Sequence, residues 1–246
     1  MHKKGTTMKE KLYTIPVFDA FKTDCECPLC VMKQELETSS IEFTLGPSYM
    51  EDDIRAITDE LGFCSHHIQL LYQQPNRLGL ALMLDTHLKK TRNLLEKKLH
   101  NSPSQVSFFK KKSEKDSPVS FLNKVHQSCF VCNRMEQTFN HYISTIYYLY
   151  KTEPDFRPLL LSSKGFCLED FSILYDNAAE HLKGNLYQQF IEDITTVCTN
   201  NLERMQEELD WFIDKFDYRN ANAPWKNSKD ALPRAIQKIN GVKIKE

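Results

Sequence analysis

Eight cysteines are the residues in this 246-residue sequence whose type and spacing could do chemistry: Cys25, Cys27, Cys30, Cys64, Cys129, Cys132, Cys167 and Cys198. Six of them fall into a pattern that occurs twice. C-P-L-C ends at Cys30, and after a 33-residue spacer the donor run of G-F-C-S-H-H begins at Cys64; C-F-V-C ends at Cys132, and after a 34-residue spacer G-F-C-L-E-D supplies Cys167. The second copy lies 102 to 103 residues after the first. Matched pairs, a matched G-F-C and near-equal spacers point to an internal duplication.

Thiolate sulfur and imidazole nitrogen are preferred donors for tetrahedral zinc. A C-x-x-C turn offers two thiolates from one bend, and a following C-x-x-H offers a thiolate and an imidazole from one helical turn. Cys27, Cys30, Cys64 and His67 are therefore expected to form a closed Cys3His site, with His67 favoured over its neighbour His66 by the spacing from Cys64. The second copy offers Cys129, Cys132, Cys167 and Asp170. Carboxylate is a permitted but less common zinc ligand. Three thiolates and an aspartate carry a formal −4 where Cys3His carries −3, so this second site needs more compensation from its surroundings. Cys198, His126, His141, His181, water or an empty site remain open as alternatives to Asp170. Two zinc ions per chain are the expected cofactors, the second resting on Asp170.

An open zinc at the second site would be the catalytic arrangement, with Glu169 as a candidate base. The sequence has neither H-E-x-x-H nor a deaminase-type H-x-E with P-C-x-x-C, so no catalytic residue is assigned and an enzyme is disfavoured. A redox reading of the C-x-x-C pairs leaves the G-F-C pieces without a purpose and lacks a βαβ setting. Cys25 and Cys198 read as small buried thiols.

The elements that must position these donors read as helices. Met32, Leu36 and Phe43 share a helical face ended by Gly46-Pro47, and Met135, Phe139, Tyr142, Ile146 and Leu149 make a clearer stripe ended before Pro154. A short helix from Glu51-Asp52-Asp53, with Ile54, Ile57 and Leu61 inward, reaches Gly62 as a C-cap, and Gly165 holds the corresponding place in the second copy. Two long stripes follow, from Leu80 through Leu84, Leu88, Leu95 and Leu99, and from Leu186 to Phe216, both expected as core. Only Tyr13 to Phe18 suggests a short extended edge. The fold class is all-α: two tandem zinc-containing helical modules, with residues 1–100 as the first, 101–120 as a linker rich in serine and lysine, 121–220 as the second and 221–246 as a tail.

The composition agrees: 41% apolar and 26% charged residues with only 7 glycines describe a globular helical chain. Lys plus Arg (32) balances Asp plus Glu (33), so no overall field draws the protein to nucleic acid or to an acidic membrane. Met1 to Lys11 lacks a signal-like apolar core and no run is long enough to span a bilayer, which makes a reducing cytoplasm the expected location. Aromatic and basic residues after Trp211 could stack on bases but read better as an ordered, packed tail.

These blocks resemble a bacterial protein family described only as a domain of unknown function, over nearly the whole chain. C-P-L-C, L-G-P-S-Y-M-E-D-D-I-R, L-G-F-C-x-x-H, L-G-L-A-L-M-L-D-T-H-L, G-F-C-L-E and P-W-K-N-S-K-D-A-L-P-R-A carry the likeness. The resemblance implies a cytoplasmic bacterial protein with zinc ligands at Cys27, Cys30, Cys64 and His67 and at their counterparts in the second copy; it implies no activity. The expected role is a zinc-stabilised helical protein that binds another macromolecule. A protein partner or a homodimer through the leucine-striped helices is left open, nucleic acid is disfavoured, and no membrane is involved.

Overall fold

The structure, a computed structural model, describes residues 13–100 and 117–244. Among them are eleven α-helices and no strand: α1 (Thr14–Lys22), α2 (Pro28–Leu45), α3 (Asp52–Leu61), α4 (Ser65–Gln73), α5 (Arg77–His100), α6 (Pro118–Gln127), α7 (Phe130–Thr152), α8 (Phe156–Ser162), α9 (Leu168–His181), α10 (Gly184–Asp214) and α11 (Ala231–Asn240). No helix among the described residues is long and apolar enough to cross a membrane. Most of the expected linker, and with it Lys110 to Lys112, lies outside the described residues; its last four positions, Ser117 to Ser120, cap and open α6.

The chain forms two compact units, one from residues 1–35 and 139–246 and one from 36–138. These are cut differently from the tandem modules expected from the repeat. Both C-x-x-C helices, α2 and α7, begin in one unit and end in the other.

In the discontinuous unit, α7 buries Ile143, Ile146, Tyr147 and Tyr150 against α9 and α10, a stripe at the helical spacing of three and four. Its two tyrosine hydroxyls are satisfied inside: Tyr147 donates to the Leu174 carbonyl at 2.6 Å and Tyr150 to Asp193 Oδ2 at 2.6 Å. Arg157 grips the same Asp193 carboxylate with two nitrogens, at 2.7 and 3.0 Å, the paired geometry that suits a guanidinium. The segment from Tyr13 to Phe18 is the start of α1 rather than an extended edge. Pro16 sits in the first turn, where a missing N–H costs nothing, and Val17, Ala20 and Phe21 bury one helical face.

In the continuous unit, Ile41, Leu45, Leu71, Leu80, Met83, Phe130 and Val131 make the core, with Ile54, Leu61 and Phe63 packed against it. On α3 it is Thr58, not Ile57, that is fully buried; Ile57 faces outward. The face set by Ile54, Thr58 and Leu61 leaves position 57 on its edge. The leucine stripe of α5 is core only at Leu80, helped by Met83, while Leu84, Leu88 and Leu99 are exposed. On α10 the stripe is buried at Phe190, Ile194 and Met205, and Phe216 beyond its end is exposed.

Gly62 closes α3 with φ +58 and donates to the Thr58 carbonyl at 2.9 Å. A Cβ there would stand 2.5 Å from His87 Nε2, and that ring is held by the Asp59 carbonyl at 2.9 Å. Both backbone and packing therefore require glycine. Gly165 also has positive φ, but it follows the cap of α8 by two residues instead of being the cap.

The tail folds back as packed structure. Trp211 Nε1 donates to the Pro224 carbonyl at 3.0 Å, Lys226 lies over the Trp211 ring, and Lys215 donates to the carbonyls of Asn220, Ala221 and Ala223. Helix α11 then brings Arg234 and Lys238 to the buried Glu26, which Arg204 of α10 also reaches at 2.6 Å; Arg234 stands at 3.2 Å and Lys238 at 3.3 Å. Despite burial, which alone would raise it, these cations hold the Glu26 carboxyl below its usual value.

Gly62→Ala is expected to cost about 2 kcal/mol through backbone strain and displacement of His87; an unchanged urea midpoint would show that the turn relaxes freely. Glu26→Gln leaves three cations facing a neutral group and is expected to cost about 3–5 kcal/mol, measured by denaturant titration of the same sample type.

Candidate metal centres

Each of the four donor pairs in the sequence opens a helix. Cys27 immediately precedes α2, Cys64 caps α4, Cys129 precedes α7 and Cys167 caps α9. The second donor of each pair, Cys30, His67, Cys132 or Asp170, sits three residues on, in the first turn. These two positions project to the same side of a helix end, as in a capping box. The leading sulfur uses that geometry: it accepts the backbone N–H of Cys30 at 3.4 Å, of Cys132 at 3.5 Å and of Asp170 at 3.5 Å in the respective pairs. A helix N-terminus favours negative charge, so thiolates are at home there.

The helix starts meet two by two, and the meeting is crossed. Cys64 and His67 are joined by Cys129 and Cys132, all within the continuous unit; Cys27 and Cys30 are joined by Cys167 and Asp170, all within the discontinuous unit. All eight sequence-derived donors are thus gathered into two groups of four, but each group takes its C-x-x-C from one copy of the repeat and its G-F-C from the other. The in-copy pairings, Cys27 and Cys30 with Cys64 and His67, and Cys129 and Cys132 with Cys167 and Asp170, are not what the structure forms.

A backbone contact shows why. The positive-φ turn at Gly62 presents its carbonyl to the Phe130 N–H at 2.9 Å, one of the donors a helix start leaves unsatisfied, and Ser128 Oγ donates to the Leu61 carbonyl at 2.8 Å. In the other unit Lys238 does this work. Its buried ammonium donates to the Glu26 carbonyl at 2.5 Å, just before the first C-x-x-C, and to the Lys164 carbonyl, just before the second G-F-C.

The spacing of the donors suits zinc. Bonds of about 2.3 Å to sulfur and 2.0 Å to nitrogen or oxygen at the tetrahedral angle put sulfurs about 3.8 Å apart and sulfur about 3.5 Å from the lighter donor. In the continuous unit Cys64 and Cys132 sulfurs are 3.9 Å apart, and His67 Nδ1 lies 3.3, 3.4 and 3.2 Å from the sulfurs of Cys64, Cys129 and Cys132. In the discontinuous unit Cys30 and Cys167 sulfurs are 3.7 Å apart, and Asp170 Oδ2 lies 3.2, 3.4 and 3.2 Å from Cys27, Cys30 and Cys167. Each group offers four protein donors.

His67 is buried and His66 exposed. Glu37 serves both: its Oε1 accepts His66 Nε2 at 2.8 Å and stands 3.3 Å from His67 Nε2, near enough to orient that ring although the angle falls short of a hydrogen bond. Burial keeps the His67 imidazole below its usual value, hence neutral and able to donate a lone pair.

The Asp170 group is the more crowded with charge. Burial, then the neighbouring Cys167, pushes the Asp170 carboxyl up to about 6, against the pull of Lys33. Hydrogen bonds from Cys27 and Cys30 hold the Cys167 thiol far below its ordinary range, while burial drives Cys27 well above. Lys33, whose Nζ forms an ion pair with Asp170 Oδ1 at 2.6 Å, is the compensating charge that Asp170 requires. Sequence reasoning anticipated the need but did not find the residue, one helical turn beyond Cys30. The corresponding position in the second copy, 102 residues on, is Met135, which packs against the core beside the His67 group. Lysine accompanies the aspartate and methionine the histidine.

A family model matches residues 8–246. The chain belongs to the family of unknown function DUF6062. No curated protein and no solved structure matches it. Membership thus covers both donor groups and α11 without attaching a chemistry to them.

Two of the other candidate ligands are engaged elsewhere. His141 stacks on Tyr13 and His181 on Tyr147, with ring centroids 5.2 and 4.7 Å apart. Cys198 is buried, as expected; Cys25 is only half-buried. Glu37, Lys33 and Lys238 went unread because their relevance depends on the crossed pairing.

Lys33→Ala is expected to weaken metal binding at the Asp170 group by about 10- to 100-fold, the usual cost of removing an outer-sphere partner. Competition with a chromogenic chelator should resolve one weakened and one unaltered ion per chain; two unaltered ions would show that Lys33 contributes nothing.

Proposed function

We propose that the protein is a non-enzymatic structural zinc protein in which each ion ties two helix N-termini together and so fixes one compact unit, leaving the helical surface for binding another protein. The observation that carries this reading is the crossed pair of four-donor groups with tetrahedral spacing. Four protein donors leave no coordination position for a reacting water, which is the mark of a structural rather than a catalytic zinc. Thiolate and imidazole donors select zinc over the hard cations magnesium and calcium, which prefer oxygen. The energy at stake is on the order of 10 kcal/mol per site, comparable to the whole stability of a domain.

All eight cysteines are free thiols, in keeping with a reducing compartment such as the cytoplasm. Binding to a protein partner is supported by the exposed leucines Leu78, Leu88 and Leu99 of α5. Trp211 and Trp225 are engaged in the packed tail that the sequence favoured over base stacking: Trp211 bonds to the Pro224 carbonyl and Trp225 lies against Phe212.

Elemental analysis of cysteine variants tests the reading and its pairing together. The wild-type chain should carry two zinc ions, and Cys27→Ala and Cys167→Ala should each carry one. Their double variant should still carry one, whereas Cys27→Ala combined with Cys64→Ala should carry none. The reverse pattern in the double variants would restore the in-copy pairing, and a wild-type chain without zinc would remove the reading.

A further inference from the structure

The two donor groups differ in how they meet solvent. In the discontinuous unit Cys27, Cys167 and Asp170 are buried, and the half-buried Cys30 is covered by the turn after α11, with the Gly241 carbonyl 3.9 Å from its sulfur. Gly241 takes φ +67 to make that approach, and its Cα side lies 3.6 Å from Cys167 Sγ as a Cβ would see it. In the continuous unit Cys129 and His67 are buried, but Cys132 is exposed and Cys64 half-buried, their sulfurs 3.9 Å apart. One edge of one tetrahedron therefore faces water.

Building on the zinc reading, we propose that the Cys64–Cys132 edge is a modification site for peroxides, at which oxidation exchanges the metal for a disulfide. A metal-bound thiolate remains nucleophilic, and an attacking sulfur needs an unobstructed line to the peroxide oxygen. Cys132 has that line. Its sulfur attacks one oxygen of hydrogen peroxide, the O–O bond breaks, and hydroxide leaves to be protonated to water; Cys132 becomes a sulfenic acid. The Cys64 thiolate then attacks that sulfur, the S–O bond breaks, and the departing hydroxide takes a proton to give a second water. Two thiolates have lost two electrons, the peroxide has gained them, and two protons have been consumed.

Zinc, left with Cys129 and His67 alone, dissociates as the dication. The sulfurs must close from 3.9 Å to about 2.05 Å, a movement along the edge they already share. The disulfide keeps α4 and α7 tied at the same point. Cys64 is the resolving thiol because it shares the solvent side with Cys132, while Cys129 lies beneath them. The buried group in the other unit offers peroxide no comparable edge.

The test uses the full zinc-loaded chain, with zinc counted before any oxidant is added. Hydrogen peroxide is titrated in, release is followed with a chromogenic chelator, and disulfides are located by mass spectrometry of unreduced peptides. The expected result is release of one equivalent of zinc with a Cys64–Cys132 bridge, Cys27, Cys30 and Cys167 remaining reduced, and recovery of the second zinc after dithiothreitol and added metal. Simultaneous loss of both ions, first release from the Cys27 group, or a first bridge between Cys129 and Cys132 would overturn the inference. A starting sample without zinc fails at the opening count, which refutes the zinc reading itself and the peroxide site with it.

Discussion

In each compact unit two helix starts meet and bring four donors together, and donors of this kind, once ionised, would repel one another unless a cation stood between them. The helix dipole and first-turn N–H groups ease the crowding but cannot remove it. Charge has to be supplied from outside as well. With a dication bound, three thiolates and His67 leave a formal −1; three thiolates and Asp170 leave −2, which Lys33 brings back to −1. The neighbouring charges differ as the donors do: Lys33 stands beside Asp170, and Glu37 beside His67.

Much of this was legible in the sequence, and what was not had one cause. The donors, the choice of His67 over His66, the helix ends at Gly46-Pro47 and before Pro154, and the Gly62 cap all follow from local chemistry: ligand type, spacing, and the backbone demands of glycine and proline. Which C-x-x-C meets which G-F-C is a question of topology. Spacers of 33 and 34 residues satisfy either pairing equally well, so proximity in sequence was a poor guide. One clue was present. Position 33 is lysine and position 135 is methionine, and only the crossed pairing puts the lysine with the aspartate.

The roles of Glu26 and α11 were beyond local reading for a related reason. Glu26 lies between two cysteines and looks like a surface carboxylate, yet it is buried by cations from residues 204, 234 and 238. No periodicity reveals such a partner. The exposure of the α5 leucines was hidden for the opposite reason: an apolar stripe shows that a helix has a face for burial, but only the neighbouring elements decide how far along it the burial extends, here to Leu80 and Met83.

The crossing also sets an order in which the chain can assemble. Every donor of the His67 group lies between residues 64 and 132, while Cys27 must wait for Asp170, 143 residues away, and for the lysine of α11 that holds the two turns together. A chain folding as it is synthesised, amino end first, completes the later-starting group first. Cys27 and Cys30, the earliest donors to leave the ribosome, spend the longest time as bare thiols. Nearby, in sequence, stand Cys64 and His67, the partners they do not take. The Gly62 carbonyl bound by the Phe130 N–H ties Cys64 and His67 to the second C-x-x-C only once residue 130 has been made, so until then the amino-terminal cysteines and their in-copy neighbours share the same stretch of finished chain.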